Sequence, residues 1–216
     1  QTGSVNQACI EAGLHPRGRA MLAKAGMADV VMAPAADMFE MGVDVQVLKR
    51  GSLFAPRARK LYELYRAYPA FEAIPADDRD KVERQMLRND FASAWDSTRA
   101  FWAKREPAQV ERGDRDPKHR MALVFRSYLG LASRWAIDGL EDRESDYQIW
   151  CGPAIAMYRV SSACAMDHGL FSGALSSLPP AYPSGLCFPV PASVETVCAS
   201  RSISRSRWFS VSATYR

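Results

Sequence analysis

The 216-residue chain contains no run of about eighteen apolar residues, the length a membrane-crossing helix needs, so no membrane partner is predicted. It also lacks a charged start leading into an apolar stretch and a small-residue cleavage site, which argues against a secretory leader and for a cytoplasmic protein. The five cysteines form no CxxC pair, so neither a zinc site nor a disulfide framework is expected. A G-x-S-x-G elbow is absent, and with it the serine nucleophile of an acyltransferase. Large charge asymmetry is missing as well. With 28 basic and 24 acidic residues the net charge is +4, too small and too dispersed to imply nucleic acid.

Hydrophobic residues make up 48% of the chain, enough for a buried core. Residues 4–13 read as a short helix, with Ser4 as N-cap, Gln7 completing a capping box and Gly13 as the stop. A second helix is predicted from Arg17 to Ala25. Two extended segments follow. Val30–Ala33 is a short apolar run closed by Pro34, and Val43, Val45 and Val47 alternate with Asp44 and Gln46.

From Leu53 the period changes. Phe54, Ala58, Leu61, Tyr62, Tyr65 and Tyr68 share one helical face, ended by Pro69. The stretch "IPADDRDKVERQML" has the acidic first turn that a helix dipole favours. Asn89 or Asp90 caps the next predicted helix, where Phe91, Ala94, Trp95, Thr98 and Trp102 align. The longest helix carries Met121, Phe125, Tyr128, Leu129, Ala132 and Trp135 at three-to-four spacing. Residues 160–216 differ from all of this. They hold thirteen serines, five prolines and three cysteines, with Asp167 and Glu195 as the acidic residues and no lysine. A disordered serine–arginine tail and translation of a shifted reading frame both account for this composition, and the frameshift is the preferred reading.

Three strings, "APAADMFEMGVDVQVLKRGSLFAPRARKLYELY", "RDPKHRMALVFRSYLGLASRWA" and "DYQIWCGPA", resemble the C-terminal half of PfaD-like enoyl reductases. These are trans-acting, flavin-dependent components of polyunsaturated fatty acid and polyketide synthases, similar to nitronate monooxygenases. The likeness runs from residue 2 to near Met157 and stops where the composition changes. It implies an α/β fold, the C-terminal part of a TIM-type (β/α) barrel holding FMN, with a mainly helical insertion similar to those of malonyltransferases. It also implies NADPH as reductant and an enoyl group on an acyl carrier protein as substrate. The expected organisation is residues 1–50 as barrel elements with a phosphate-binding turn, 51–145 as helical insertion, 146–159 as the return and 160–216 as irregular tail.

On this reading Thr2, Gly3 and Ser4 bind the FMN phosphate. Gly3 permits close backbone approach, the two hydroxyls donate, and the following helix contributes its positive end, although the same residues also make an ordinary N-cap. Asp37 and Glu40, three apart, are a candidate proton-handling pair, with a plain capped turn as the preferred alternative. His119 reads as a surface or capping residue and His15 as a loop residue. Trp95, Trp102 and Trp135 read as core, and Cys9 and Cys151 as small buried hydrophobes. Asp146, Tyr147, Trp150 and Cys151 belong to a specific string whose role, packing or substrate contact, stays open. No catalytic residue is nominated. A competing reading is a non-enzymatic helical module that docks an acidic acyl carrier protein through Lys49, Arg50, Arg57 and Arg59.

Overall fold

Two short helices open the computed structural model, which describes residues 3–8, 12–153 and 155. Thr2, Cys9 and the serine-rich segment 160–216 lie outside the described residues, and so does the frameshift reading. Helix α1 (Gly3–Ala8) begins one residue before Ser4, which is therefore inside the helix rather than its N-cap. Helix α2 (Pro16–Ala23) starts with proline at its first position, and His15 caps it by accepting from Arg17 N–H at 3.3 Å. The sequence read His15 as loop; its capping role depends on an imidazole nitrogen substituting for the usual hydroxyl or carboxylate.

Strands β1 (Val30–Pro34) and β2 (Asp44–Leu48) fall where alternation and proline punctuation place them. They pair antiparallel, with Val30 opposite Leu48 and Pro34 opposite Asp44. Neighbouring staves of a (β/α) barrel run parallel, so this ribbon is not a pair of adjacent barrel strands. The connection between them, residues 35–43, is short enough for a hairpin-like return, and that length decides the pairing direction. Beyond β2 the chain segment at Ile149–Cys151 adds to the ribbon, through Leu48 N–H to Ile149 O at 2.8 Å and Cys151 N–H to Gln46 O at 3.3 Å.

The remaining elements are helical. Helix α3 (Phe54–Ala67) buries Phe54, Ala58, Leu61 and Leu64 on one face. Helix α4 (Ala76–Lys81) has Asp77 and Asp78 in its first turn, then passes into a π-helical turn, Val82–Leu87. Val82 and Met86, four residues apart, face the interior as helical spacing predicts, while the π-helical turn stands where a straight α-helix is predicted. Helix α5 (Phe91–Ala103) is capped by Asp90, whose carboxylate accepts from Ser93 N–H at 2.9 Å. Helix α6 (Pro107–Arg115) and the long α7 (Pro117–Asp138) form a hairpin, and a 3₁₀ segment (Glu141–Asp146) leads back to the ribbon. No helix among the described residues is long and apolar enough to cross a membrane.

The main core joins the ribbon to the helices: Ala33, Phe39 and Val47 pack with residues of α3, α5 and α7. Phe39 is its pivot. Fully buried, its ring meets Tyr62 edge-on at 5.5 Å, Tyr65 at 5.3 Å and Phe125 edge-on at 6.3 Å. Burial of a side chain this size stabilises by about 1.5–3 kcal/mol, with more from the ring geometry. A second cluster holds Leu14, Leu22, Leu48, Ala136, Tyr147 and Ile149, seating α2 against the ribbon and the end of α7.

Gly42 ends the 35–43 connection at φ +72°, and a Cβ there would stand 2.2 Å from Tyr62 Oη. Gly42→Ala is therefore expected to cost at least the roughly 1–2 kcal/mol of a left-handed non-glycine residue. Thermal melts should show Tyr62→Phe, which removes the clashing hydroxyl, restoring part of that loss in the double variant; equal loss with and without Tyr62→Phe would rule the steric cause out.

Candidate functional site

Segments distant in sequence converge on His119. Pro117 and the Asp116 cap, which accepts from Lys118 N–H at 2.9 Å, set the start of α7 and place His119 in its first turn. The imidazole is 2% exposed. Its Nε2 lies 2.8 Å from Gln109 Oε1 on α6. Gln109 has its amide nitrogen committed to Glu106 Oε1 at 3.0 Å, so its oxygen must face the ring and Nε2 must carry the proton. Nδ1 is then left without a hydrogen bond, 3.4 Å from Glu40 Oε1.

Glu40 also faces Arg126, at 3.7 Å from Nη1, while Arg126 Nε donates to Ala36 O at 3.0 Å and its guanidinium lies over the Trp102 ring. Burial pulls the His119 pKa below the usual imidazole value, and the Glu40 charge works against that pull. Burial, assisted by Glu40, raises the nearby Tyr65 phenol. The predicted surface or capping role of His119 is thus corrected: α6 and the 35–43 connection close over it, and no local sequence pattern signals either. The Asp37–Glu40 pair is not brought together either. Residues Phe39–Met41 form a 3₁₀ turn that sends Phe39 inward and Glu40 toward His119, leaving Asp37 exposed and bonded to Met38 N–H at 3.1 Å.

A second polar centre surrounds Asp146, whose side chain is fully buried. Its Oδ1 accepts from Arg57 and, at 2.7 Å, from the Tyr128 hydroxyl. Oδ2 faces Arg143 at 3.5 Å and Arg88 at 3.7 Å. Arg143 in turn donates to Met86 O at 2.6 Å and Leu87 O at 2.9 Å and stacks over Trp135. Burial, with the Asp146 charge second, raises the Tyr128 phenol, so it stays a donor. This network answers the question left open for Asp146: it packs, tying α3, α7 and the π-helical turn to the return segment.

The same network corrects the docking surface. Arg57 is turned inward to Asp146, and Arg59 donates to Asp44 Oδ2 at 2.7 Å. Arg50 donates to Lys24 O at 3.1 Å but keeps 59% of its side chain exposed, and Lys49 is exposed. The four cations therefore do not form one free basic face. Lys49 and Arg50 stand in the turn after β2, whereas Arg57 and Arg59, two apart on α3, point to different sides of that helix.

Of the residues predicted to bind phosphate, Gly3 opens α1 and Ser4 Oγ accepts from Gly152 N–H at 2.7 Å, bringing the first described helix against the "WCGP" turn. Trp150 is 52% exposed there, whereas Cys151 is buried and its thiol pushed up to about 11 by burial. Trp95 is buried, and Trp102 and Trp135 are partly buried against the main core, as read from their helical faces. Among the described residues no group of three or more His, Cys, Asp or Glu side chains is placed to hold a metal.

Removing the Asp146 charge leaves buried guanidiniums uncompensated, a change that costs about 3–5 kcal/mol. Asp146→Asn should lower the urea midpoint accordingly and Tyr128→Phe by a smaller amount; an Asp146→Asn variant as stable as the parent would show that the network contributes nothing.

With this geometry established, comparison with known proteins gives a consistent picture. Residues 68–147 match the family model for the inserted helical domain of [acyl-carrier-protein] S-malonyltransferase. The chain is 48% identical over 159 residues to a component of the polyunsaturated fatty acid synthase of Thraustochytrium sp., covering 73% of this chain and 11% of that protein. It is 38% identical over 157 residues to the polyketide biosynthesis protein PksE of Bacillus subtilis, covering 73% of this chain and 20% of that one. Its fold matches the enoyl reductase domain of MlnA from the macrolactin cluster of Bacillus amyloliquefaciens, with a TM-score of 0.68 and 29% identity over 76% of this chain and 36% of that one. The chain thus spans about a tenth to a fifth of these two relatives and about a third of the solved domain. The relatives thus include polyunsaturated fatty acid synthase subunits and polyketide biosynthesis proteins, and a structural neighbour is an enoyl reductase domain.

Proposed function

We propose that this chain supplies part of an FMN-dependent enoyl reductase that acts on enoyl groups carried by an acyl carrier protein in polyketide or polyunsaturated fatty acid synthesis. The observation that carries the reading is the shared fold with an enoyl reductase domain across three quarters of the chain. The synthase relatives support the setting and, through it, the carrier protein as partner. A TIM-type barrel is part of the proposal. The antiparallel ribbon would lie outside its parallel ring, because neighbouring barrel strands run the same way.

The residues at the start of α1 suit an FMN phosphate. The first N–H groups of a helix have no intrahelical partner, Gly3 places them without an obstructing side chain, and the Ser4 hydroxyl, already accepting from Gly152 N–H, keeps its own proton to donate. Thr2, Gly3 and Ser4 are accordingly the proposed phosphate contacts. Bound flavin would supply hydride passage from NADPH to the double bond, and this chain's part is to hold the cofactor's phosphate and brace the site through the Ser4–Gly152 link. No side chain of this chain is assigned to proton transfer.

A second reading, a helical module that docks an acyl carrier protein without catalysis, is favoured by the malonyltransferase-type match over residues 68–147. Lys49 and Arg50 are the members of the basic run left exposed for it. Charge reversal at both should weaken carrier binding under this reading and leave it unchanged under the first.

The described residues carry one antiparallel pair of strands where a barrel has eight parallel ones, so the purified chain is expected to show no NADPH-dependent enoyl reduction by itself. Grafted in place of the corresponding segment of a homologous reductase domain, residues 3–153 should retain flavin and enoyl reduction, and Ser4→Ala in that graft should lower flavin occupancy. A graft that folds by circular dichroism yet neither holds FMN nor reduces an enoyl thioester would overturn the reductase reading.

A further inference from the structure

His119 is a buried titratable group that the reductase reading does not use, and every feature around it bears on whether it takes a proton. With Nε2–H committed to Gln109, a second proton would go to Nδ1, which makes no hydrogen bond in the neutral ring and faces Glu40 Oε1 at 3.4 Å. The charge would then sit in the first turn of α7, at the positive end of the helix dipole. Arg112 of α6 and Arg126 of α7 oppose it, while Glu40 of the 35–43 connection and the α7 cap Asp116 favour it. Tyr65 of α3 feels the same Glu40, Arg112 and Asp116 charges, and the Lys118 ammonium lies over the Tyr65 ring and donates to the Tyr65 and Tyr68 carbonyls. The surroundings therefore favour the neutral ring, and any opening that admits water to it is favoured by acid.

Three elements enclose the ring, and they are anchored unequally. The 35–43 connection is held by fully buried Phe39 and its three aromatic neighbours, and α7 buries ten residues along its length. Helix α6 buries only Val110 and Gly113, with Pro107, Ala108, Glu111, Arg112, Asp114 and Arg115 exposed. Its other ties are polar: Gln109 to His119, Arg99 to Asp114, and Arg120 to the Gly113 and Asp114 carbonyls. The element with the least buried apolar surface is the one that opens first.

We propose that helix α6 is an acid-sensitive lid over His119, seated while the imidazole is neutral and released when the ring takes up a proton.

The direction follows from linkage. Because the seated state holds the His119 pKa below its hydrated value, the lid's stability is fully present above about pH 6.5, falls as the pH drops below that, and levels off beneath the ring's own lower pKa. Glu40 raises the ring's pKa, so it restrains this response rather than driving it.

Amide exchange of the full chain, followed by mass spectrometry from about pH 5 to pH 8 and corrected for intrinsic exchange rates, tests the lid around the usual imidazole pKa. Protection of residues 107–115 should fall in acid while that of α3 holds. His119→Gln should flatten the α6 profile, and Glu40→Gln should steepen it. An α6 profile unchanged by His119→Gln, or one flattened by Glu40→Gln, overturns the proposal. Nitrogen NMR of the parent chain keeps the idea testable should either variant misfold: a neutral Nε2–H ring titrating below the ordinary imidazole value is expected, and a ring titrating at or above it overturns the lid.

Discussion

A carboxylate removed from water must be surrounded by donors, and the fully buried Asp146 imposes that requirement on four parts of the chain. Arg57 comes from α3, Tyr128 from the middle of α7, Arg88 from the end of the π-helical turn and Arg143 from the segment that carries Asp146 itself. Arg143 then satisfies the carbonyls of Met86 and Leu87, where the π-helical turn leaves acceptors without intrahelical donors. One buried charge thus holds the return segment, the longest helix and the irregular turn in register. It also withdraws Arg57 from the surface, so a structural need excludes a docking role that residue type alone suggests.

Apolar packing does the corresponding work for the ribbon. Two five-residue strands are marginal by themselves. They persist because one face, with Ala33 and Val47, shares its core with three helices, and because Ile149–Cys151 extends the pairing on the β2 side. Phe39 transmits this packing to the connection that carries Glu40, so the position of a charged side chain near His119 is set by an aromatic ring one residue away. Hydrophobic burial decides where the polar group stands; the polar contacts then decide the ring's tautomer.

The contrast between the two polar centres is one of saturation. Asp146 has donors on both oxygens and is locked, whereas His119 has one hydrogen bond, one bare nitrogen and mixed charges about it. A saturated buried group rigidifies its surroundings, and an unsaturated one leaves an opening whose stability depends on solution conditions.

Periodicity determined most of the secondary structure from sequence alone. The valine alternation located β2, Pro34 closed β1, and the aromatic faces of α3, α5 and α7 predicted the core that Leu61, Trp95 and Tyr128 occupy. The strings around Phe39, His119 and Trp150 pointed to synthase-associated reductases, because long strings keep their identity without any knowledge of contacts. Local pattern reaches only about one helical turn or strand pair, and everything longer was decided by the tertiary structure. The burial of His119 beneath α6, the turning of Glu40 toward His119 and the diversion of Arg57 to Asp146 all depend on contacts between separate elements. A side chain's charge and size are written in the sequence, but whether it meets water, a carboxylate or an aromatic ring follows only once distant segments have packed.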